Sequence, residues 1–139
     1  MQMHASCAAR DGAGVLLLGP PGAGKSDLLL QLLDHGLSLV ADDRVEVEDG
    51  LARPAASLAG LMEVRGLGIV RLPYVAPVRL ALAIALGPAP ERMPQPARHP
   101  ALDLPLLTLD PAGPAAAARV LLALDCARGR VPVLAGAFA

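Results

Sequence analysis

The sequence predicts an α/β domain whose sheet is mixed and partly antiparallel and is flanked by helices. An apolar run at residues 15–18 leads through a glycine-rich loop into a leucine-rich segment at residues 27–34, which is typical of a strand, a tight loop and a helix. Residues 45–48 alternate apolar and polar side chains before the turn Asp49-Gly50, so they form one arm of a β-hairpin. The hairpin makes the middle of the sheet antiparallel and argues against a repeating βαβ pattern.

The other elements follow from hydrophobic runs and from their proline and glycine boundaries. They are a strand and turn at residues 1–13, strands at residues 37–41, 78–86 and 101–110, a proline-rich loop at residues 87–100, a helix at residues 114–128 and a tail at residues 131–139. A chain of 139 residues can bury a real core without disulfides or metals, so we expect a single domain over residues 1–139.

Composition excludes several classes of function. The net charge is −1 and Lys25 is the only lysine, so nucleic acid, whose binding needs clustered lysine and arginine, is not favoured as a partner. Cys7 and Cys126 form no C-x-x-C pair, which disfavours a zinc site or a disulfide framework. The sequence begins without a signal-peptide pattern and its apolar runs are short, so we expect a cytoplasmic protein with no membrane contact.

One motif has the pattern G-x-x-x-x-G-K-[ST] of a phosphate-binding loop. Its members are Gly19, Pro20, Pro21, Gly22, Ala23, Gly24, Lys25 and Ser26. Glycines allow backbone N–H groups to turn toward an anion, the lysine ammonium reaches the β and γ phosphates, and the serine hydroxyl binds Mg²⁺. The helix that follows directs its positive end at the phosphate. This motif predicts a site for a nucleotide phosphate with Mg²⁺.

Two acids, Asp42 and Asp43, end the strand predicted at residues 37–41. Ligands of α/β proteins gather at the carboxyl ends of the strands, so one of the two acids is expected to approach the metal and phosphates. The other would serve a different partner. An ordinary turn stabilised by an aspartate side chain is the alternative for this pair.

The segment at residues 61–70 places Glu63 and Arg65 just before Gly66 and Gly68. These side chains could provide an anionic ligand group and a cationic phosphate contact on one side of a loop. A glycine-bent strand with a surface ion pair explains the pattern equally well. His4, near the terminus, would by spacing alone be a solvated surface group.

Taken together, these motifs resemble the catalytic domain of HPr kinase/phosphorylase. Their order agrees over the first half of the chain, from His4 through the phosphate loop and residues 40–45 to residues 62–70. The resemblance implies a P-loop kinase domain of the type shared by HPr kinase and PEP carboxykinase. It further implies an ATP-dependent kinase that phosphorylates a serine of HPr, a phosphocarrier protein of the sugar phosphotransferase system. The family also runs the reverse phosphorolysis and forms homo-oligomers, namely hexamers.

The resemblance also implies a role for each matching residue. Lys25 would hold the phosphates, and the metal ligands would be Ser26 and Glu63, with Asp43 on the metal side. Asp42 would be the base that accepts the proton of the substrate serine, although which of the two aspartates is the base is left open. His4 would be an accessory catalytic group beside the acid. Arg92, in the weaker match Glu91-Arg92-Met93, would stabilise the transferred phosphoryl group.

The chain departs from the family in three places. The family usually carries a separate N-terminal domain, which these 139 residues do not include, so the chain resembles the short single-domain form of alpha-proteobacteria. Asp27 follows the loop serine in place of the usual Glu. Residues 110–115 contain no basic residue where the family has a basic loop linked to phosphorolysis. Two other functions stay open: a small-molecule kinase or generic P-loop ATPase, and a non-catalytic nucleotide-binding regulatory module. A GTPase is disfavoured because the sequence has no N-K-x-D motif.

Overall fold

The chain forms ten strands and two α-helices, in a computed structural model that describes residues 1–139. The strands are β1 (Gln2–Met3), β2 (Ala5–Arg10), β3 (Ala13–Leu18), β4 (Ser38–Ala41), β5 (Val45–Glu48), β6 (Leu51–Pro54), β7 (Leu61–Val64), β8 (Gly68–Arg71), β9 (Val78–Leu86) and β10 (Leu106–Leu109). The helices are α1 (Lys25–Asp34) and α2 (Ala116–Ala127), with a short 3-10 turn at Ala56–Leu58. Neither α-helix has the length and apolarity that crossing a membrane requires.

The main sheet has the strand order β1-β5-β6-β9-β3-β2-β4, and β10 also pairs with β9. The central strands β3, β9 and β10 are parallel, whereas β2 is antiparallel to both β3 and β4. The hairpin of β5 and β6 joins the sheet antiparallel to β9. The predicted α/β fold with a mixed, partly antiparallel sheet is therefore confirmed.

Two bends in the chain curl this sheet. β1 and β2 are consecutive and are separated only by His4, while β4 and β5 are separated only by residues 42–44. β1 pairs with β5, and β2 pairs with β4, so the two bent stretches lie side by side along their length. The bend that contains the two aspartates consequently faces the bend that contains His4.

The curled sheet separates two hydrophobic cores, and side-chain alternation assigns residues to each of them. Val15 and Leu17 of β3 belong to the larger core of 19 buried residues, which lies under the helices, whereas Leu16 belongs to the smaller core of 11 buried residues. Helix α1 packs against β2, β3, β4 and β7, and α2 packs against β9 and α1. Burying each leucine contributes roughly 1.5–3 kcal/mol, so these contacts fix α1 and the loop before it on the sheet.

Two elements begin two or more residues later than predicted. The strand expected at residues 101–110 is only Leu106–Leu109. Residues 100–102 form a turn in which the His99 ring accepts the amides of Ala101 and Leu102, and Asp103 follows with a φ of 52°. The second helix begins at Ala116 and not at residue 114. The boundaries predicted for β9 agree with the structure.

Candidate active site

The loop between β3 and α1 adopts a conformation that requires glycine. Gly22 and Gly24 have φ values of 82° and 102°, in the left-handed region that side chains disfavour. At Gly19, a Cβ would lie 3.0 Å from the Cβ of Ala23, which is tighter than nearly all real contacts. Helix α1 begins immediately at Lys25, so its first N–H groups and its positive dipole end lie at the loop. This geometry suits an anion such as a phosphate.

Lys25 lies along the loop and does not extend into solvent. It is 9% exposed, and its ammonium donates hydrogen bonds to the carbonyl oxygens of Gly19 and, at 3.0 Å, Pro20. An ammonium held this close to the loop adds positive charge where the backbone amides converge. The predicted position of the lysine within the phosphate loop is consistent with this arrangement.

Asp42 is a buried carboxylate that connects three elements. Its Oδ1 accepts hydrogen bonds from the Ser26 hydroxyl of α1 at 2.8 Å and from the Ser6 hydroxyl of β2 at 2.9 Å. Its Oδ2 accepts the backbone N–H of Glu63 in β7 at 3.3 Å. With three donors directed at it and only 7% exposure, this carboxylate is held in one orientation.

Asp43 has the opposite environment, because its backbone is turned. Its φ of 70° places it in the left-handed region, and its side chain is exposed and lines the main cavity. The two predicted acids therefore have different surroundings: Asp42 contacts Ser26, and Asp43 faces the open cavity. Alternation along an extended strand could not have indicated this, since the turn occurs at Asp43 itself.

A cavity of about 520 Å³ lies over the loop, large enough for a nucleotide. Its lining residues come from the loop, the first turn of α1, the aspartate bend and the hairpin of β7 and β8; they are Pro21, Gly22, Gly24, Lys25, Ser26, Asp27, Asp43, Glu63, Val64, Arg65, Gly66, Gly68 and Ile69. The cavity therefore brings together two cations, Lys25 of the loop and Arg65 of the hairpin, and the exposed carboxylates of Asp27, Asp43 and Glu63. Gly19, Pro20 and Ala23 of the predicted loop do not line the cavity.

The hairpin decides between the two interpretations of residues 61–70. Glu63 and Arg65 both line the cavity, and the ion pairs of the protein lie elsewhere, at Arg10–Asp125, Arg98–Asp103 and Arg130–Asp11. The predicted surface ion pair is therefore absent. Both side chains instead face the space above the phosphate loop.

The donor atoms around the cavity suit Mg²⁺ in part. No three His, Cys, Asp or Glu side chains cluster closely enough to hold a metal ion by themselves. Mg²⁺ prefers oxygen ligands and is usually held by only one or two protein groups together with phosphates and water. The hydroxyl of Ser26 and the carboxylate of Glu63, which both line the cavity, are ligands of that kind.

Two predicted catalytic residues lie outside the cavity lining. His4 is exposed, at the bend between β1 and β2, and the next residue, Ala5, donates its amide to the Asp43 carbonyl at 3.2 Å. His4 is therefore close to the acid pair along the backbone. Arg92 is exposed in the proline-rich loop, forms no ion pair and does not line the cavity, so the structure does not bring it to the other site residues.

Sequence reasoning missed two residues of the site. Asp27 lines the cavity. Its place directly after Ser26 in the sequence could have indicated that it lies at the site. Ser6 was not singled out, although it is the one hydroxyl in the small-residue strand β2. Its buried contact with Asp42 depends on the pairing of β2 with β4, which no local pattern predicts.

Comparisons with known proteins identify relatives of this chain. Residues 1–75, more than half of the 139, match the model of the family described as HPr Serine kinase C-terminal domain. The chain is 40% identical over 76 residues to an HPr kinase/phosphorylase of Clostridium novyi, covering 52% of this chain and 25% of the relative. It is 47% identical over 64 residues to an HPr kinase/phosphorylase of Lactobacillus delbrueckii subsp. bulgaricus, covering 42% of this chain and 20% of the relative.

A solved structure shows that the fold extends beyond the matched segment. The Hpr(Ser) kinase/phosphatase from Coxiella burnetii has a TM-score of 0.67 with 23% sequence identity, and the alignment covers 88% of this chain and 86% of that chain. The chain spans about a quarter or less of the length of the curated relatives it matches.

Proposed function

Because the chain belongs to the family of the HPr serine kinase C-terminal domain, we propose that it transfers the γ-phosphoryl group of ATP to a serine of an HPr-type phosphocarrier protein. The observation that carries this proposal is the cavity, which joins Lys25 and Ser26 of the phosphate loop to Asp43 and Glu63. Phosphoryl transfer requires positioning and charge neutralisation more than covalent chemistry, and these four side chains supply both.

The phosphate loop binds the donor in this proposal. Its turned backbone and the start of α1 offer N–H groups to the phosphates, and Lys25 adds the positive charge. Ser26 and Glu63 would hold Mg²⁺, which when bound neutralises charge on the phosphates. Asp42 supports this arrangement because it accepts the Ser26 hydroxyl hydrogen, so the lone pairs of that oxygen stay available.

Asp43 is the better candidate for the base, since it is the aspartate with an exposed carboxylate at the cavity. It would accept the proton of the acceptor serine hydroxyl while that oxygen bonds to the γ-phosphorus. The bond from the γ-phosphorus to the bridging oxygen of ADP breaks, and ADP leaves with the electron pair. Asp42 is the other candidate for the base, and in this structure its two oxygens accept three hydrogen bonds.

His4 and Arg92 act as secondary groups in the proposal. His4 directly precedes Ala5, whose amide donates a hydrogen bond to the Asp43 carbonyl, so His4 can influence Asp43 through this backbone contact. Arg92 would reach the transferred group only through movement of the proline-rich loop at residues 87–100. Reverse phosphorolysis and assembly into a homo-oligomer stay predictions, as do the single domain and the cytoplasmic location.

Radiolabelled ATP with purified HPr tests the proposal. We expect the label on one serine of HPr, dependent on Mg²⁺. Label released as free phosphate without HPr modification would indicate an ATPase, and nucleotide binding without any turnover would indicate a regulatory module; either result would overturn the kinase assignment.

A further inference from the structure

Ser6 is a fully buried hydroxyl in a strand of small residues. The flanking side chains of β2, Ala5, Cys7 and Ala8, are also buried and lack any strong hydrogen-bonding group. A hydroxyl removed from water is unfavourable unless it has partners, so its contacts explain why it can occupy this position.

Those contacts involve both members of the acid pair. The Ser6 hydroxyl donates to Oδ1 of Asp42 at 2.9 Å and accepts the backbone N–H of Asp43 at 3.4 Å. The second contact lies at the residue whose backbone turns into the left-handed region, with a φ of 70°. One side chain on β2 therefore contacts the carboxylate of Asp42 and the turn that exposes Asp43.

The same carboxylate oxygen also receives the hydroxyl of Ser26. With Ser6 and Ser26 both donating to Oδ1, and the Glu63 amide donating to Oδ2, rotation of the Asp42 carboxylate would break at least one bond. Removing the Ser6 hydroxyl frees one side of Oδ1, so the carboxylate can turn and the Ser26 hydroxyl loses its fixed direction.

We propose that Ser6 is a positioning residue for magnesium-dependent nucleotide binding, acting through Asp42 on the Ser26 hydroxyl. This inference rests on the proposed function, because it takes Ser26 as a ligand of Mg²⁺. Partners behind a metal ligand typically change metal affinity by about 10- to 100-fold when they are removed. Ser6 contacts Asp42, which in turn contacts the metal ligand Ser26, so the lower end of that range, about 10-fold, is expected.

The test is a Mg²⁺ titration of ATP binding by calorimetry with wild type, Ser6→Ala and Cys7→Ala. Both variants remove one heavy atom from neighbouring buried positions of β2, but Cys7 belongs to the smaller core and its thiol donates to the Ala8 carbonyl instead of the acid pair. Ser6→Ala should raise the Mg²⁺ concentration at half-saturation about 10-fold and leave ATP binding in EDTA unchanged. Cys7→Ala should follow wild type in both conditions.

If Ser6→Ala does not fold, Ser6→Cys is the second variant, since a thiol fills the space of the hydroxyl but is a weaker hydrogen-bond donor. It should also raise the Mg²⁺ concentration at half-saturation. An unchanged Mg²⁺ dependence in the folded Ser6 variant, or an equal shift in Cys7→Ala, would overturn the role of Ser6 while wild type still binds magnesium-ATP. Failure of wild type to bind magnesium-ATP would contradict the proposed function itself.

Discussion

The Ser26 hydroxyl donates a hydrogen bond of 2.8 Å to Oδ1 of Asp42, across a separation of 16 residues. This bond connects the first turn of α1 to the end of β4, so the phosphate loop and the acid pair form one unit. Because Asp42 is committed to that bond, the neighbouring Asp43 is the acid that remains available at the cavity.

Replacing the two aspartates separately should separate metal binding from catalysis. Asp42→Asn replaces one acceptor oxygen by an NH2 group, which is a donor. That group then faces either the hydroxyls of Ser6 and Ser26 or the Glu63 amide, and these donors lose their acceptor. Magnesium-ATP affinity should therefore fall by about 10- to 100-fold. Asp43→Asn should bind magnesium-ATP nearly as well as wild type. Calorimetric titration of both variants measures this, and equal losses of affinity would contradict the separate roles.

Lys25→Met should weaken nucleotide binding. The substitution keeps a linear side chain but removes the ammonium at the loop, and a lost hydrogen bond to a charged group costs about 1.5–3 kcal/mol, or roughly 10- to 100-fold in affinity. Arg71→Met is the matched control, because it removes one positive charge from an exposed position outside the cavity. Retained ATP affinity in Lys25→Met would contradict the assignment of the phosphate loop.

Arg92→Ala should lower the transfer rate without lowering ATP affinity, because Arg92 does not line the cavity that binds the donor. Arg98→Ala is a control in the same loop, since Arg98 is already paired with Asp103 at 2.8 Å. Initial rates of HPr phosphorylation at saturating ATP compare the two. A rate for Arg92→Ala equal to that of wild type would remove Arg92 from the mechanism.

Cys7 should resist alkylation in the folded protein. Complete burial raises the pKa of the Cys7 thiol, so the nucleophilic thiolate is not formed near neutral pH. Mass spectrometry after iodoacetamide treatment at pH 8 should find label on the partly exposed Cys126, and on Cys7 only after denaturation. Labelling of native Cys7 at the rate of Cys126 would show that β2 is not buried as described.

The same raised pKa makes stability depend on pH. The folded state favours the protonated thiol, so this contribution is complete below the pKa of an unfolded thiol, about 8.5, and is lost as the pH rises above it. Urea midpoints measured from pH 7 to pH 10 should therefore fall more steeply for wild type than for Cys7→Ala. Parallel curves would exclude the thiol as the cause.

Local sequence patterns predicted the parts of the fold that depend on neighbouring residues. The phosphate loop, the hairpin at Asp49-Gly50 and the boundaries of β9 follow from glycine spacing, turn chemistry and a continuous apolar run. The strand β10 was overestimated because its apolar run continues through Pro105 into a turn that the run itself does not show.

Features that depend on pairing between distant strands could not be predicted. The different surroundings of Asp42 and Asp43 result from a left-handed backbone at Asp43, and the contact of Ser6 with Asp42 requires β2 and β4 to pair. The hairpin of β7 and β8 is held at the cavity by packing of β7 against α1, which is also a tertiary contact. Because no local pattern shows that packing, residues 61–70 supported two interpretations from sequence alone.

The most direct test of the account is the intact mass of purified HPr after incubation with magnesium-ATP and either wild type or Asp43→Asn. The account predicts one phosphate added to a serine of HPr by wild type, and essentially none by Asp43→Asn, although that variant still binds magnesium-ATP. HPr left unmodified by wild type, or modified at an undiminished rate by Asp43→Asn, would contradict it.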